Sequence, residues 1–279
     1  MGLSACGSNS TPASSPNGNV SLSYLLYGQG KGVTKSNALS KVIAALQRLA
    51  SHPDTGVSFT ETQHVASTTV SVDGNGYFSF SSDSAKVSIT FQAAGKSPYS
   101  IEALYLPDSM YLQFPAGGLP NGMSWLVTKY TNGTASKPGA PWIVTTAVAL
   151  DPMGFLDTIG NGAVSATKES AANAYSVAVN LGDSYSNTKG YGSNDVRVAL
   201  SNYINSGLSN QLHIKVYLSE TTGVSKISEP ITGGNLDFFF TNRTATTNFA
   251  PPSSSSIVRL SSIPVGNGEG AGGDSDGDG

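Results

Sequence analysis

The chain has 279 residues, of which 38% are hydrophobic and 12% are charged, and its net charge is −3. The charged fraction is about half of what soluble domains usually carry, so solubility rests on Ser, Thr, Asn and Gly, a balance typical of exported proteins. Scattered Lys and Arg residues give no basic field, which excludes nucleic-acid binding. The single cysteine excludes an intrachain disulfide and cysteine-rich metal sites.

A short motif, Leu-Ser-Ala-Cys at residues 3–6, stands at the N-terminus. It resembles the bacterial lipobox, in which an aliphatic residue and two small residues precede a cysteine that receives a diacylglycerol. Two or more acyl chains anchor a protein stably to a membrane, so the resemblance predicts a lipid on Cys6. An export signal needs an apolar stretch of roughly 7–15 residues, so we expect the full signal to extend beyond Met1. The alternative is a free thiol in an unstructured N-terminus.

The two ends of the chain have the composition of disordered segments. Residues 7–20 are rich in Ser, Pro, Asn and Gly and show no hydrophobic periodicity, which predicts a tether. We therefore divide the chain into a lipobox remnant with its tether at 1–33, one folded domain at 34–265, and a disordered acidic, glycine-rich tail at 266–279.

The first half of the domain is predicted to be one helix followed by an antiparallel meander. Apolar residues recur at helical spacing over about 36–50, and alternation with period two follows from about 56 to 131. Within it, a strand from Val57 to Val72 is predicted to end in a hairpin turn at 73–76, Asp-Gly-Asn-Gly. Consecutive strands joined by short turns favour an antiparallel sheet over βαβ units.

The second half mixes helices and strands. A helical region is predicted at 143–160, with Pro152 in the first turn of its better part, and a third helix at 194–206. Strands are predicted at 164–169, 174–181, 212–218, 223–229, 235–241 and 244–250. The expected fold class is therefore α+β: a single curved antiparallel sheet, a half-barrel of about eleven strands, with helices covering its concave face.

Four short segments carry a resemblance to a known family: residues 3–6, Ser124-Trp125, 151–156 (Asp-Pro-Met-Gly-Phe-Leu) and 248–252 (Asn-Phe-Ala-Pro-Pro). With the order of elements over about residues 20–265, they resemble actinobacterial lipoproteins of the LppX/LprG type, which are similar in fold to the LolA/LolB lipoprotein carriers. The resemblance implies an apolar cavity for acyl chains between sheet and helices. It also implies a carrier on the extracytoplasmic face of the cell membrane.

Apolar positions on the predicted elements are the candidates to line such a cavity. They are Leu39, Val42, Ile43, Leu46, Phe78, Phe80, Ile89, Phe91, Leu104, Leu106, Leu112, Phe114, Phe155, Leu156, Phe238 and Phe240. The alternative is that these side chains pack a filled core. A filled core favours a second function, a surface lipoprotein that contacts a protein or a cell-wall polymer, with Tyr77, Tyr105 and Tyr217 exposed on the outer sheet face.

No catalytic pattern stands out in the linear order. His52, His64 and His213 lack metal-ligand spacing, there is no Gly-x-Ser-x-Gly elbow, and the Asp residues fall mostly at turns and helix starts. We therefore expect no enzymatic activity, no catalytic residues, no metal and no cofactor. The expected partners are a lipid or other apolar small molecule and the membrane through Cys6, with the protein a monomer.

Overall fold

The computed structural model describes residues 36–65, 68–129, 142–171, 173–187, 210–231, 234–243 and 249–260. The predicted tether with Cys6 and the predicted tail lie outside these residues and stay predictions. The helices are α1 (Asn37–Ala50), α2 (Trp142–Ala149), α3 (Pro152–Gly162) and α4 (Leu181–Asn187). The strands are β1 (Asp54–Val65), β2 (Thr68–Ser79), β3 (Ser84–Ala93), β4 (Tyr99–Leu106), β5 (Ser109–Gln113), β6 (Trp125–Lys129), β7 (Ala163–Lys168), β8 (Ala174–Asn180), β9 (Gln211–Ser219), β10 (Gly223–Ile231), β11 (Gly234–Arg243) and β12 (Ile257–Arg259).

In the part of the chain that the structure describes, the strands form one open sheet of twelve, in the order β12-β6-β5-β4-β3-β2-β1-β11-β10-β9-β8-β7. All neighbouring strands are antiparallel except β12, which pairs with β6 in parallel. The predicted α+β class with a single, mostly antiparallel sheet is confirmed.

Helix α1 begins and packs as its sequence predicts. Ser36 has extended backbone angles and its Oγ accepts a hydrogen bond from the Leu39 N–H at 3.1 Å, which satisfies one of the free N–H groups of the first turn. The apolar stripe is buried and contacts β7, β8, β9 and β10. The helix therefore covers one half of one sheet face.

The hairpin turn predicted at 73–76 is wrong. These residues lie inside β2, where Gly74 pairs with Phe59 on β1 and with Ile89 on β3. A Cβ atom at Gly74 would overlap the Phe59 ring, so the glycine is there for a close approach and not for a turn. Val65 pairs with Thr68, which places the reversal between β1 and β2 eight residues earlier than position 74.

The predicted helical region at 143–160 is divided into α2 and α3. Asp151 lies between them as the N-cap of α3, and its Oδ1 accepts a hydrogen bond from the Met153 N–H at 3.0 Å. Pro152 occupies the first turn, as expected. Strands β7 to β11 correspond to predicted strands, whereas α4 was not predicted. The third predicted helix, at 194–206, and most of the strand predicted at 244–250 lie outside the described residues.

Three helices lie on the same face of the sheet, which we call the inner face. Besides α1, helix α3 places the Phe155 ring on Phe238 of β11 at 4.6 Å between centroids. Helix α2 is held over β4, because the Tyr105 hydroxyl donates to the Ala147 carbonyl at 2.6 Å. The Phe59 and Phe238 rings lie 5.5 Å apart, and these contacts fill the middle of the inner face.

Candidate functional site

A cavity of about 380 Å³ lies on the inner face, between β1 to β4 and helix α2. Its volume is near the lower end of the range for small-molecule pockets, roughly 300 to 1,000 Å³. It is lined by Glu61, Val70, Val72, Phe91, Gln92, Ala93, Lys96, Ser97, Tyr99 and Thr146.

The sheet register explains why these side chains meet. Val72 pairs with Phe91 on β3 and with Glu61 on β1, and residues paired directly across strands project from the same face. This row lies next to the row of Phe59, so all three side chains face the helices. The cavity therefore lies one row beyond the aromatic core, toward the end of the sheet where β1 turns into β2.

The cavity has an apolar floor and a polar mouth. Val72 and Phe91 are buried, whereas Gln92, Lys96 and Ser97 are exposed. Tyr99 is 37% exposed, and burial of the rest of its side chain raises the pKa of its hydroxyl above the ordinary 10.0. Such a gradient suits a ligand with one apolar part and one polar part.

A pair of glutamates lies at the β1 side of the cavity. Glu61 pairs with Leu236 on β11, and Leu236 pairs in turn with Glu229 on β10, so both carboxyls belong to the inner face. Burial, followed by the charge of the nearby Glu61 carboxylate, raises the pKa of Glu229 to about 7. Near neutral pH, Glu229 is therefore in part a neutral acid that can donate a hydrogen bond.

The residues predicted to line a cavity fall into four groups. Phe91 lines the cavity described above. A large group is buried in the packed core: Leu39, Val42, Ile43, Leu46, Phe78, Ile89, Leu112, Leu156, Phe238 and Phe240. Three are partly buried and pack against that core: Phe80, Phe114 and Phe155.

Leu104 and Leu106 lie on the outer face of β4, away from the cavity. Leu104 pairs with Lys86, whose Nζ lies 2.8 Å from a carboxylate oxygen of Glu102 on the same outer face. Tyr105 has the opposite placement, because it is buried on the inner face and not exposed as predicted. The prediction of which β4 side chains face the helices is therefore wrong. Leucine and tyrosine at successive positions are compatible with either face of the sheet.

Three aspartates that the sequence separates meet at the start of α3. Asp83 lies in the turn between β2 and β3 with a left-handed φ of 48°, Asp151 caps α3, and Asp157 lies within α3. Burial, followed by the charge of Asp151, raises the pKa of Asp83 to about 7. Burial also raises the pKa of Asp151 to about 6.

Asp157 is the most enclosed member of this cluster. Burial, followed by the charges of Asp83 and Asp151, raises its pKa well above the ordinary 3.8. Asp157 Oδ1 and Asp83 Oδ2 are buried without a hydrogen-bond partner, a costly arrangement for ionised carboxylates. Within the described ranges, no group of three or more His, Cys, Asp or Glu side chains is placed to hold a metal ion.

The Asp-Pro pair at the start of α3 was visible in the sequence, but nothing local to it indicates that the β2–β3 turn lies beside it. None of the helices in the described ranges is both long and apolar enough to cross a membrane.

Comparison with known proteins finds similarity in fold. No protein-family profile and no curated protein matches the sequence. Among solved structures, the chain is similar to LprF from Mycobacterium bovis, with 11% identity and a TM-score of 0.42 over 80% of this chain and 100% of that one. It is also similar to the lipoprotein LppX from Mycobacterium tuberculosis, with 9% identity and a TM-score of 0.42 over 77% of this chain and 100% of that one.

The similarity to LppX-type lipoproteins expected from the sequence is thus found again in the structure over most of the chain. At these values it concerns the fold alone and bears on no ligand or activity.

Proposed function

We propose that this chain is a lipid-anchored extracytoplasmic protein that binds or carries a lipid or another apolar ligand and catalyses no reaction. The observation that carries the proposal is the cavity on the inner face, with its apolar floor of Val72 and Phe91 and its exposed polar mouth. The lipobox-like residues 3–6 support attachment to the membrane through Cys6. None of the three clustered aspartates lines the cavity.

Binding of a fluorescent single-chain alcohol to the purified protein tests the ligand part of this proposal. Val70→Trp places a large ring in the cavity, because Val70 lines it. We expect this variant to bind the probe at least tenfold more weakly, a loss of about 1.4 kcal/mol.

The matched control is Ser88→Trp, which adds the same ring at an exposed position of β3 on the outer face. It is expected to bind as the unmodified protein does. Equal binding by both variants would contradict the assignment of the cavity. Native mass spectrometry of the protein as purified adds a second readout, the mass of any amphiphile retained.

The anchor is tested separately. With a complete export signal in front of the chain, Cys6→Ser is expected to move the protein from the membrane fraction to the soluble fraction. Retention in the membrane fraction without the cysteine would contradict the lipid anchor and leave the cavity proposal intact.

A second candidate function, a module that contacts a protein or cell-wall polymer, is favoured by one cluster on the outer face. There Phe239 is 37% exposed, and the Lys226 ammonium lies 5.0 Å from its ring and 5.6 Å from that of Tyr217. Exposed aromatic side chains beside a cation are common at binding surfaces. This second function is favoured if Phe239→Ser abolishes attachment of the protein to isolated cell wall while neither the unmodified protein nor its variants bind the probe.

A further inference from the structure

The glutamate pair beside the cavity restricts the chemistry of its ligand. This inference rests on the proposed function, since it concerns what the same cavity accepts. Glu61 lines the cavity directly, and Glu229 follows two strands away in the same row of the inner face. Both side chains are half-buried, so their fields act through a medium of lower dielectric constant than water.

One cation also lines the cavity, and it has to be weighed against the glutamates. Lys96 lies in the turn between β3 and β4 and is exposed. Charges in contact with water are screened within about 8 Å at physiological ionic strength, whereas partly buried charges are screened much less. The glutamates therefore have the stronger influence on a group inside the cavity, and Lys96 acts mainly at the mouth.

The size of the cavity gives the second restriction. A volume of about 380 Å³ is close to the smallest that small-molecule pockets reach, so it suits one short chain. Val72 and Phe91 at the floor favour burial of methylene groups, because removing apolar surface from water is favourable.

We propose that the cavity accepts a single-chain amphiphile whose polar end is a hydrogen-bond donor, an ammonium or a hydroxyl group, that lies against the Glu61 carboxylate. An ammonium group forms a charge-assisted hydrogen bond with this carboxylate. A hydroxyl group donates a weaker bond. A carboxylate or phosphate headgroup meets like charge at Glu61.

Three amphiphiles with the same ten-carbon chain separate these cases: decylammonium, decanol and decanoate. Each is titrated near neutral pH, below its aggregation concentration, by displacement of the fluorescent probe or by calorimetry. We expect the unmodified protein to bind decylammonium at least tenfold more tightly than decanoate, with decanol between them.

The deciding variants are Glu61→Gln and Lys96→Gln. Glu61→Gln is expected to weaken decylammonium about tenfold, to change decanol little and so to remove most of the preference. Lys96→Gln is expected to leave the order of the three ligands unchanged. Circular dichroism and the thermal midpoint of each variant show whether it remains folded, and Glu61→Asp, which keeps the charge, is expected to keep the preference.

Decanoate binding as tightly as decylammonium would overturn the inference, and so would a preference that Lys96→Gln removes and Glu61→Gln leaves. In both cases the proposed function stands, provided that Val70→Trp weakens all three ligands. If none of the three binds, or if Val70→Trp weakens none of them, the proposed function fails together with the inference.

Discussion

The aspartate cluster at the start of α3 predicts that the free energy of unfolding depends on pH. The perturbation is Asp83→Asn. It removes one ionisable carboxyl and keeps nearly the same shape. Asn also adopts left-handed backbone angles readily, so the φ of 48° at position 83 is retained. The matched control is Asp73→Asn, at an exposed position of β2.

The direction follows from the raised pKa. An unfolded chain ionises Asp83 near the ordinary 3.8, whereas burial and the neighbouring Asp151 raise the pKa in the folded protein to about 7. The folded state therefore holds a proton that the unfolded state has lost, and the free energy of unfolding falls as pH rises between these two values. The contribution of protonated Asp83 to the free energy of unfolding is fully present below about pH 3.8 and is lost above about pH 7.

The magnitude follows from the same two values. Between pH 5 and a pKa of about 7, a fall of 1.36 kcal/mol per pH unit gives about 3 kcal/mol. Asp83 is only half-buried and shares the repulsion with two other carboxyls, so we halve the figure to about 1.5 kcal/mol. For a domain of this size that corresponds to roughly 3 to 6 °C in the thermal midpoint.

The assay is thermal unfolding followed by circular dichroism at about pH 5 and about pH 8.5. Asp83→Asn is expected to gain roughly 3 to 6 °C on the unmodified protein between the lower and the higher pH, and Asp73→Asn is expected to gain nothing comparable. An equal midpoint difference at both pH values would refute the reasoning, because it would mean that Asp83 ionises alike in the folded and unfolded states.

The other predictions concern packing and capping. Gly74→Ala is expected to lower the free energy of unfolding by about 1 to 3 kcal/mol in urea titrations, because its Cβ would overlap the Phe59 ring; a neutral outcome would show that the ring moves aside freely. Ser36→Ala is expected to cost about 1 kcal/mol through loss of the N-cap of α1, whereas Ser40→Ala, at an exposed position inside the same helix, should cost nothing. Equal losses at the two serines would mean that the cap contributes no stability.

Several elements could be predicted from the sequence because their signals are local. The stripe on α1 and the alternation in β9, where Leu212, Ile214 and Val216 are buried, are complete within one element. The fold class follows from their order. Asp151 and Pro152 mark the start of α3 without any tertiary information.

The position of the cavity and the aspartate cluster could not be predicted, because each depends on register between distant segments. Asp83 lies near Asp157 because β2 pairs with β3 and α3 packs on the sheet. Neither segment of the sequence contains information about the other. The faces of β4 could not be assigned from the sequence for a related reason. A hydrophobic residue at every position from Ala103 to Leu106 removes the contrast that tells one sheet face from the other.

Gly74 connects the mistaken turn with the position of the cavity. A strand residue with a side chain at that point would occupy the space above β2 on the inner face. Because Gly74 has none, the Phe59 ring lies over it and reaches Phe238 at 5.5 Å, so the middle of the sheet is closed by aromatic contacts. In the next row Val72 lies between Glu61 on β1 and Phe91 on β3, and these three side chains line the cavity. The Asp-Gly-Asn-Gly segment therefore does not reverse the chain. Its Gly74 leaves room for the Phe59 ring in the packed row, and the cavity with Glu61 in its lining lies one row beyond.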